Sequence, residues 1–134
     1  MTAATALLVA LGAVVGAPLR YAVERLLASS YPWGTFAVNV AGSAILGLLA
    51  GSVAADPDAA SARTWVALVG VGFCGALTTF GGFAAQVLDL AAAPRDVVAT
   101  TRSRRALGYA AVSVLACVAV AAATFVSAVS RGGG

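Results

Sequence analysis

The 134-residue sequence contains no histidine and only five acidic residues. It has no histidine to act as a general base, and its pattern shows no acid pair or nucleophile–base arrangement typical of a catalytic site. An enzyme is therefore the least favoured class of function. The two cysteines, Cys74 and Cys117, both lie in apolar stretches. They predict small packing residues in a membrane and no disulfide framework.

The chain is also short of charged residues. They make up 10% of it, whereas a soluble domain carries roughly a quarter. With 61% hydrophobic residues and a mean hydropathy of +0.98, the chain has too little polar surface to remain in water. Its net charge of +3 suits anionic lipid headgroups. The arginines cluster without interleaved aromatic residues, which argues against a nucleic-acid partner.

Four apolar blocks fill most of the chain, and each can supply the roughly 20 apolar residues of a membrane-spanning helix. The blocks are Thr5–Leu27, Gly34–Ala54, Thr64–Leu90 and Ala106–Ser130. Turn-forming or charged residues separate them. We therefore predict an all-α, multi-pass protein of the cell membrane, with one four-helix transmembrane domain over residues 1–134 and no soluble domain.

The arginines predict an orientation, because cytoplasmic loops carry an excess of basic residues. One side carries six and the other two: Arg20, Arg25, Arg95, Arg102, Arg104 and Arg105 against Arg63 and Arg131. This bias predicts that the first and third connections are cytoplasmic and that both termini lie outside.

The first span combines a packing motif with a charged end. Gly12 and Gly16 are four residues apart, a spacing that lets helices approach closely in lipid. Arg20 and Glu24 share a helix face near the end of the span. They form either an interfacial pair whose long side chains reach the headgroups, or a site where Arg20 attracts anions to the mouth of an aqueous cavity.

One face of the second span carries a polar or small residue at every fourth position: Thr35, Asn39, Ser43, Gly47 and Gly51. Ser43, Gly47 and Gly51 predict a close helix-packing seam. The Asn39 amide has donors and an acceptor that need partners in hydrocarbon. Asn39 therefore either joins helices or lines a polar pathway.

The third span contains the most informative segment. Five glycines within residues 70–82, together with Thr78 and Thr79, predict a helix that is broken in mid-membrane. Non-helical backbone is tolerated there only inside protein or beside a water-filled cavity, and freed carbonyls at such a break can coordinate a cation. Phe80 and Phe83 would project from one face after the break.

The fourth span aligns Tyr109, Ser113 and Cys117 at intervals of four residues. Hydroxyls in this register either join neighbouring helices by hydrogen bonds or line a narrow passage.

Three motifs in the same order resemble those of the Fluc (CrcB) fluoride channel family, and the resemblance covers the whole chain. They are Gly16 with Arg20-Tyr21, the segment Gly34–Ser43 (GTFAVNVAGS) and the segment Gly72–Phe83 (GFCGALTTFGGF). The resemblance implies a small antiparallel dimer, in which two subunits of opposite orientation form two fluoride pores.

The resemblance also implies which residues would meet the ions. A sodium ion at the dimer centre would be bound by the backbone carbonyls of Gly75 and Thr78. Arg20 corresponds to an arginine of the vestibule. The anion pore would comprise Asn39, the ring edges of Phe80 and Phe83, and a polar track of Thr79, Tyr109 and Ser113, with Cys117 next in line.

One segment departs from the family pattern. Gly81-Gly82 stands where many members carry Ser-Thr, so two hydroxyls are missing from the polar track. The unequal arginine count also fits poorly with a chain that inserts in both orientations. One hypothesis joins both facts: the chain pairs with an oppositely oriented relative, and one of the two pores is impaired. The alternative is a homodimer.

The sequence therefore predicts a channel that exports fluoride passively from the cytoplasm. The first rival, a small multidrug-type exporter, would need a membrane-embedded carboxylate for proton exchange, but Glu24 and Asp89 lie close to span ends. The second rival, a non-transporting assembly subunit, would need only the glycine seams. The Thr-Thr segment and the aligned hydroxyls argue against it.

Overall fold

A computed structural model describes residues 2–56, 61–92 and 99–132, and every regular element within these ranges is a helix. The elements are α1 (Ala3–Leu26), α2 (Trp33–Ala55), α3 (Ala62–Trp65), a π-helical segment (Val66–Cys74), α4 (Gly75–Leu77), α5 (Phe80–Ala91) and α6 (Ala99–Gly132). Ala62–Ala91 together form the third membrane span. Arg95, which contributes to the predicted orientation, lies outside the described residues.

Within the described ranges, four helical spans are long and apolar enough to cross a membrane, as the composition predicts. They are α1, α2, the third span and α6, with 24, 23, 30 and 34 residues. Even in the most apolar window of each span, 22% or less of the residues are buried inside the chain. The chain is therefore a multi-pass membrane protein whose apolar surface faces lipid or other protein.

The helix α6 is longer than the predicted fourth span, because it begins at Ala99 rather than at Ala106. Its 34 residues measure roughly 51 Å at about 1.5 Å per residue, against a hydrocarbon core of ~30 Å. The additional turns carry Arg102, Arg104 and Arg105. Because these residues are charged, the sequence predicts a connection here. Charged residues are excluded from the hydrocarbon core, but they can still belong to a helix that continues among the headgroups.

Glycines bring the spans into backbone contact at two seams. A Cβ on Gly12 or Gly16 would collide with the backbone of the third span, and a Cβ on Gly47 or Gly51 would collide with the backbone of α6. Close packing at these four glycines is therefore confirmed, and it follows from the absence of a side chain. Ser43, predicted to belong to the second seam, lines a cavity instead.

Two consecutive residues of the third span have extended backbone angles. Thr78 (φ −81°, ψ 157°) and Thr79 (φ −150°, ψ 116°) are extended, between α4 and α5. Gly70 and Gly72 lie within the π-helical segment and are buried. Of the residues expected to weaken the helix, the two threonines leave it, whereas these two glycines remain helical and pack in the interior.

Candidate functional site

A cavity of about 310 Å³ lies between α2, the third span and α6. None of the residues that line it is charged. Ser43 and Cys117 form part of its wall, together with six of the predicted site residues: Asn39, Thr78, Thr79, Phe80, Phe83 and Ser113. The three other predicted site residues, Arg20, Gly75 and Tyr109, do not line this cavity.

The Asn39 side chain is bonded to the backbone of Thr79 through both ends of its amide. Asn39 Oδ1 accepts a hydrogen bond from the Thr79 N–H at 2.8 Å, and Asn39 Nδ2 donates to the Thr79 carbonyl at 3.3 Å. These bonds supply partners that an amide needs in apolar surroundings. Asn39 therefore joins α2 to the third span and fixes the extended backbone, while it also lines the cavity.

The bond to Asn39 changes which backbone groups are paired. In a continuous α-helix, the Thr79 N–H would donate to the Gly75 carbonyl, four residues earlier. Thr79 donates to Asn39 instead. The Thr78 N–H and hydroxyl both donate to the Cys74 carbonyl, each at 2.9 Å. Within the described residues, no donor bonds to the Gly75 carbonyl.

The surroundings of Gly75 restrict what could bind there. Gly75 is exposed, and no atom lies within 4 Å of the position its Cβ would occupy. Across the parts of the chain that the structure describes, no three His, Cys, Asp or Glu side chains come together as a possible metal site. A cation near the Thr78 carbonyl and the unpaired Gly75 carbonyl would therefore be bound by backbone oxygens of these residues.

Thr79 also caps the helix α5. Its Oγ1 accepts a hydrogen bond from the Gly82 N–H at 3.0 Å. Its carbonyl accepts from the Phe83 N–H at 3.3 Å. A threonine side chain at this position satisfies one of the free N–H groups of a helix start. Thr79 is therefore both the last residue of the extended segment and the N-cap of α5.

Aromatic rings form a row from the cavity toward the first connection. Phe80 is 82% exposed, and its ring centroid lies 5.9 Å from that of Phe83. The Phe83 centroid is 5.7 Å from that of Tyr109, and the Tyr109 ring stands perpendicular to Tyr31 at 5.7 Å. Because ring edges carry partial positive charge, the exposed Phe80 ring can present an edge to an anion.

Two buried hydroxyls of α6 have unused hydrogen-bonding capacity. Tyr109 and Ser113 are 1% and 3% exposed. These two oxygens lie close enough to influence each other, but neither makes a well-formed hydrogen bond within the described residues. Leaving a buried polar group unpaired costs about 1–3 kcal/mol. Since Ser113 lines the cavity, its hydroxyl can bind a ligand there.

The pair of Arg20 and Glu24, one of the two alternatives for the end of the first span, is not formed within the described residues. Arg20 is half-buried, and it makes no ion pair or hydrogen bond to another described residue. The Glu24 carboxylate instead accepts a hydrogen bond from the Thr35 hydroxyl at 3.5 Å. Glu24 and Thr35 line a second cavity, of about 300 Å³, together with Gln86.

Sequence reasoning missed three of the residues at these sites. Ser43 was assigned to packing, although its spacing of four from Asn39 already placed both on one face. Tyr31 lies in a connection, where only its position before the second span suggests a role. Gln86 belongs to no sequence motif, and its place in the wall of the second cavity follows from the fold alone.

An uncharged cavity with several polar side chains in its wall lies between three of the apolar spans. The chain is therefore of the class of multi-pass membrane proteins with a candidate ligand pathway. The model of the family described as "CrcB-like protein, Camphor Resistance (CrcB)" matches residues 7–125. The chain therefore belongs to the CrcB family, as the motifs predict.

Three relatives illustrate the similarity. Fluoride-specific ion channel FluC 1 of Streptomyces avermitilis is 49% identical over 88 residues, which cover 63% of this chain and 68% of the relative. FluC 2 of Halobacterium salinarum is 44% identical over 115 residues, covering 86% of each chain. FluC of Bordetella petrii is 40% identical over 124 residues, covering 91% of this chain and 89% of the relative. The family is thus one of ion channels and not of enzymes.

Proposed function

We propose that the chain is a fluoride-selective channel through which fluoride leaves the cytoplasm down its electrochemical gradient. The observation that carries the proposal is the uncharged cavity that joins Asn39, Phe80, Phe83 and Ser113. The names of the relatives support fluoride as the ion. Export would lower toxicity, because in acidic surroundings fluoride enters the cell as the neutral acid and dissociates inside.

The chemistry of the cavity suits a small anion. Fluoride is strongly hydrated, so a pathway must replace its water with hydrogen-bond donors. The hydroxyls of Thr79 and Ser113, which line the cavity, are donors of this kind, and the Tyr109 hydroxyl beside Ser113 would be a third. The edges of Phe80 and Phe83 are favourable surfaces for an anion. Arg20 would attract anions to the vestibule without entering the cavity.

We extend the proposal to a structural sodium ion bound between two oppositely oriented subunits. The Gly75 carbonyl supports this assignment, because it lacks its helical donor and belongs to an exposed residue. The Thr78 carbonyl would be a second ligand, and a second subunit would supply the same two oxygens again. The positive charge would lower the electrostatic cost of anions nearby.

The partner could be a second copy of this chain or an oppositely oriented relative. The unequal distribution of arginines supports a relative, since a strong bias favours one orientation. Gly81-Gly82, which carries no hydroxyl, supports a pore that is impaired on one side. Robust fluoride efflux by the pure chain would show that no relative is required.

The decisive experiment is fluoride efflux from proteoliposomes that contain only this protein, with chloride as the control. Efflux of fluoride but not chloride is expected. Absence of flux from the pure chain, and also after addition of any co-encoded relative, would contradict the proposal. Proton-coupled uptake of organic cations is not expected, because Asp89 is exposed and Glu24 lies outside the wall of the first cavity.

A further inference from the structure

The helices α2 and α6 run in the same direction and end side by side. A Cβ on Gly47 would meet Ala121, and a Cβ on Gly132 would meet Ala55, so the contacts advance toward the C-terminus along both helices. The 23 residues of α2 measure roughly 34 Å, which exceeds a hydrocarbon core of ~30 Å. The two C-terminal ends therefore lie together at one membrane surface, at the level of the lipid headgroups.

A third cavity, of about 320 Å³, lies between these two helix ends. Its wall contains the polar residues Ser52, Asp56 and Arg131 and the apolar residues Leu48 and Ala128. Leu48 is eight residues before Asp56 in the chain and therefore lies roughly 12 Å deeper in the membrane. The cavity thus extends from the headgroups toward the acyl chains, which suits an amphipathic occupant.

The wall of this cavity has one acidic and one basic side chain, and neither has a partner among the described residues. Asp56 and Arg131 form no ion pair with each other, and their side chains make no hydrogen bond within the described part of the chain. Their charged groups are too far apart to pair, although both line the same cavity. A ligand that carries both signs of charge would pair with each of them.

The two sides of the cavity favour opposite parts of such a ligand. Asp56 directly follows α2, and the C-terminal end of a helix carries partial negative charge that favours a cation. The Ser52 hydroxyl donates to the Leu48 carbonyl at 2.9 Å, so its oxygen is left as an acceptor for an N–H group. On the α6 side, the Arg131 guanidinium has the fork of donors that binds a phosphate.

We propose that this cavity binds one phospholipid whose headgroup carries a phosphate and a primary ammonium group, as in phosphatidylethanolamine. Arg131 pairs with the phosphate, Asp56 pairs with the ammonium, and the acyl chains follow the apolar wall toward Leu48. A choline headgroup has no N–H to donate to the carboxylate, and a glycerol headgroup has no positive charge. The site therefore selects ethanolamine, and this inference does not depend on the ion that the protein conducts.

Native mass spectrometry of the full chain in detergent tests the site, because it counts the lipids that stay bound. The probes are phosphatidylethanolamine, phosphatidylcholine and phosphatidylglycerol with identical acyl chains. The unmutated protein should retain one ethanolamine lipid per chain, with a preference of about two- to fivefold over the other two lipids, since Asp56 and Arg131 are exposed and exposed ion pairs are weak.

Two substitutions separate the roles of the acid and the base. Asp56→Asn should abolish the preference for ethanolamine. Arg131→Gln should weaken the binding of all three lipids by about two- to fivefold and keep their order, because all three carry a phosphate. Asp89→Asn and Arg25→Gln are the matched controls, since they remove the same charges from exposed residues outside the wall of this cavity. Neither control should change lipid binding.

Three results would overturn the proposed lipid site. The first is equal retention of the three lipids by the unmutated protein, a result that does not depend on any variant. The second is an unchanged preference for ethanolamine in Asp56→Asn. The third is a preference of the unmutated protein for phosphatidylglycerol that Arg131→Gln removes, because simple attraction of an anionic lipid would account for it.

Discussion

Replacing Asn39 with leucine should return the Thr79 backbone toward helical geometry. The substitution keeps a side chain of similar size but removes both hydrogen bonds that hold the extended segment. At about 0.5–1.5 kcal/mol for each bond, the loss amounts to ~1–3 kcal/mol. The equilibrium between extended and helical backbone should therefore shift by roughly 5- to 150-fold. The Thr79 N–H would then donate to the Gly75 carbonyl.

The shift should be visible as a loss of sodium dependence. If the Gly75 carbonyl binds the proposed sodium ion, sodium should raise the melting temperature of the detergent-solubilised protein relative to a large organic cation. A ligand that binds only the native state stabilises it by mass action. Asn39→Leu should abolish most of this sodium-specific increase, because in this variant the Thr79 N–H donates to the Gly75 carbonyl and occupies it.

Asn39→Asp is the matched control. Its carboxylate can still accept the Thr79 N–H, so the Gly75 carbonyl stays unpaired, and sodium-dependent stabilisation should persist. A sodium-specific increase in melting temperature that is equal in the unmutated protein and in Asn39→Leu would refute the link between Asn39 and the carbonyl.

The remaining predictions concern conduction, accessibility and packing. Asn39→Asp and Phe80→Ile should each nearly abolish fluoride flux in proteoliposomes while leaving the proposed dimer intact. The first places negative charge in the pathway, and the second removes a ring edge. Unchanged flux in both variants would contradict the pore assignment. Methyl methanethiosulfonate should label Cys117, which lines the cavity, and spare Cys74, which is fully buried; mass spectrometry reports the two sites, and preferential labelling of Cys74 would count against the cavity. Gly47→Leu should destabilise the bundle by about 1–3 kcal/mol or prevent assembly, because a side chain there meets the backbone of α6. Size-exclusion chromatography and thermal melting would detect the change. A normal melting temperature would argue against close packing at this glycine.

The parts of the fold that depend on composition could be predicted from the sequence. Four apolar blocks dictate four spans, since only helices of this length satisfy their own backbone in lipid. The close approach at Gly12 and Gly47 could also be predicted, because small residues four apart leave a groove. The start of α6 could not be predicted, because the end of an apolar block shows where a segment leaves the hydrocarbon core and not where its helix begins.

The details of the site depend on partners distant in sequence, and the sequence left these open. The location of Asn39 in an apolar span indicates that its amide needs hydrogen-bond partners. It does not indicate that Thr79, 40 residues away, supplies them. The unpaired Gly75 carbonyl follows from that same contact. Tyr31 meets Tyr109 only because α2 and α6 are neighbours. The glycine run was ambiguous, because glycine permits both an interruption and close packing.

The length of α6 determines how the protein responds to bilayer thickness. Ser113 lies roughly 21 Å along a helix of about 51 Å, so each end of α6 extends well past the cavity. A thicker or thinner bilayer can be matched by drawing the arginine-bearing turns at Arg104 and Arg105 toward or away from the headgroups, at a cost of fractions of a kcal/mol per Å. Hydrophobic mismatch is then absorbed at this end of α6 rather than at the cavity near the middle of the helix.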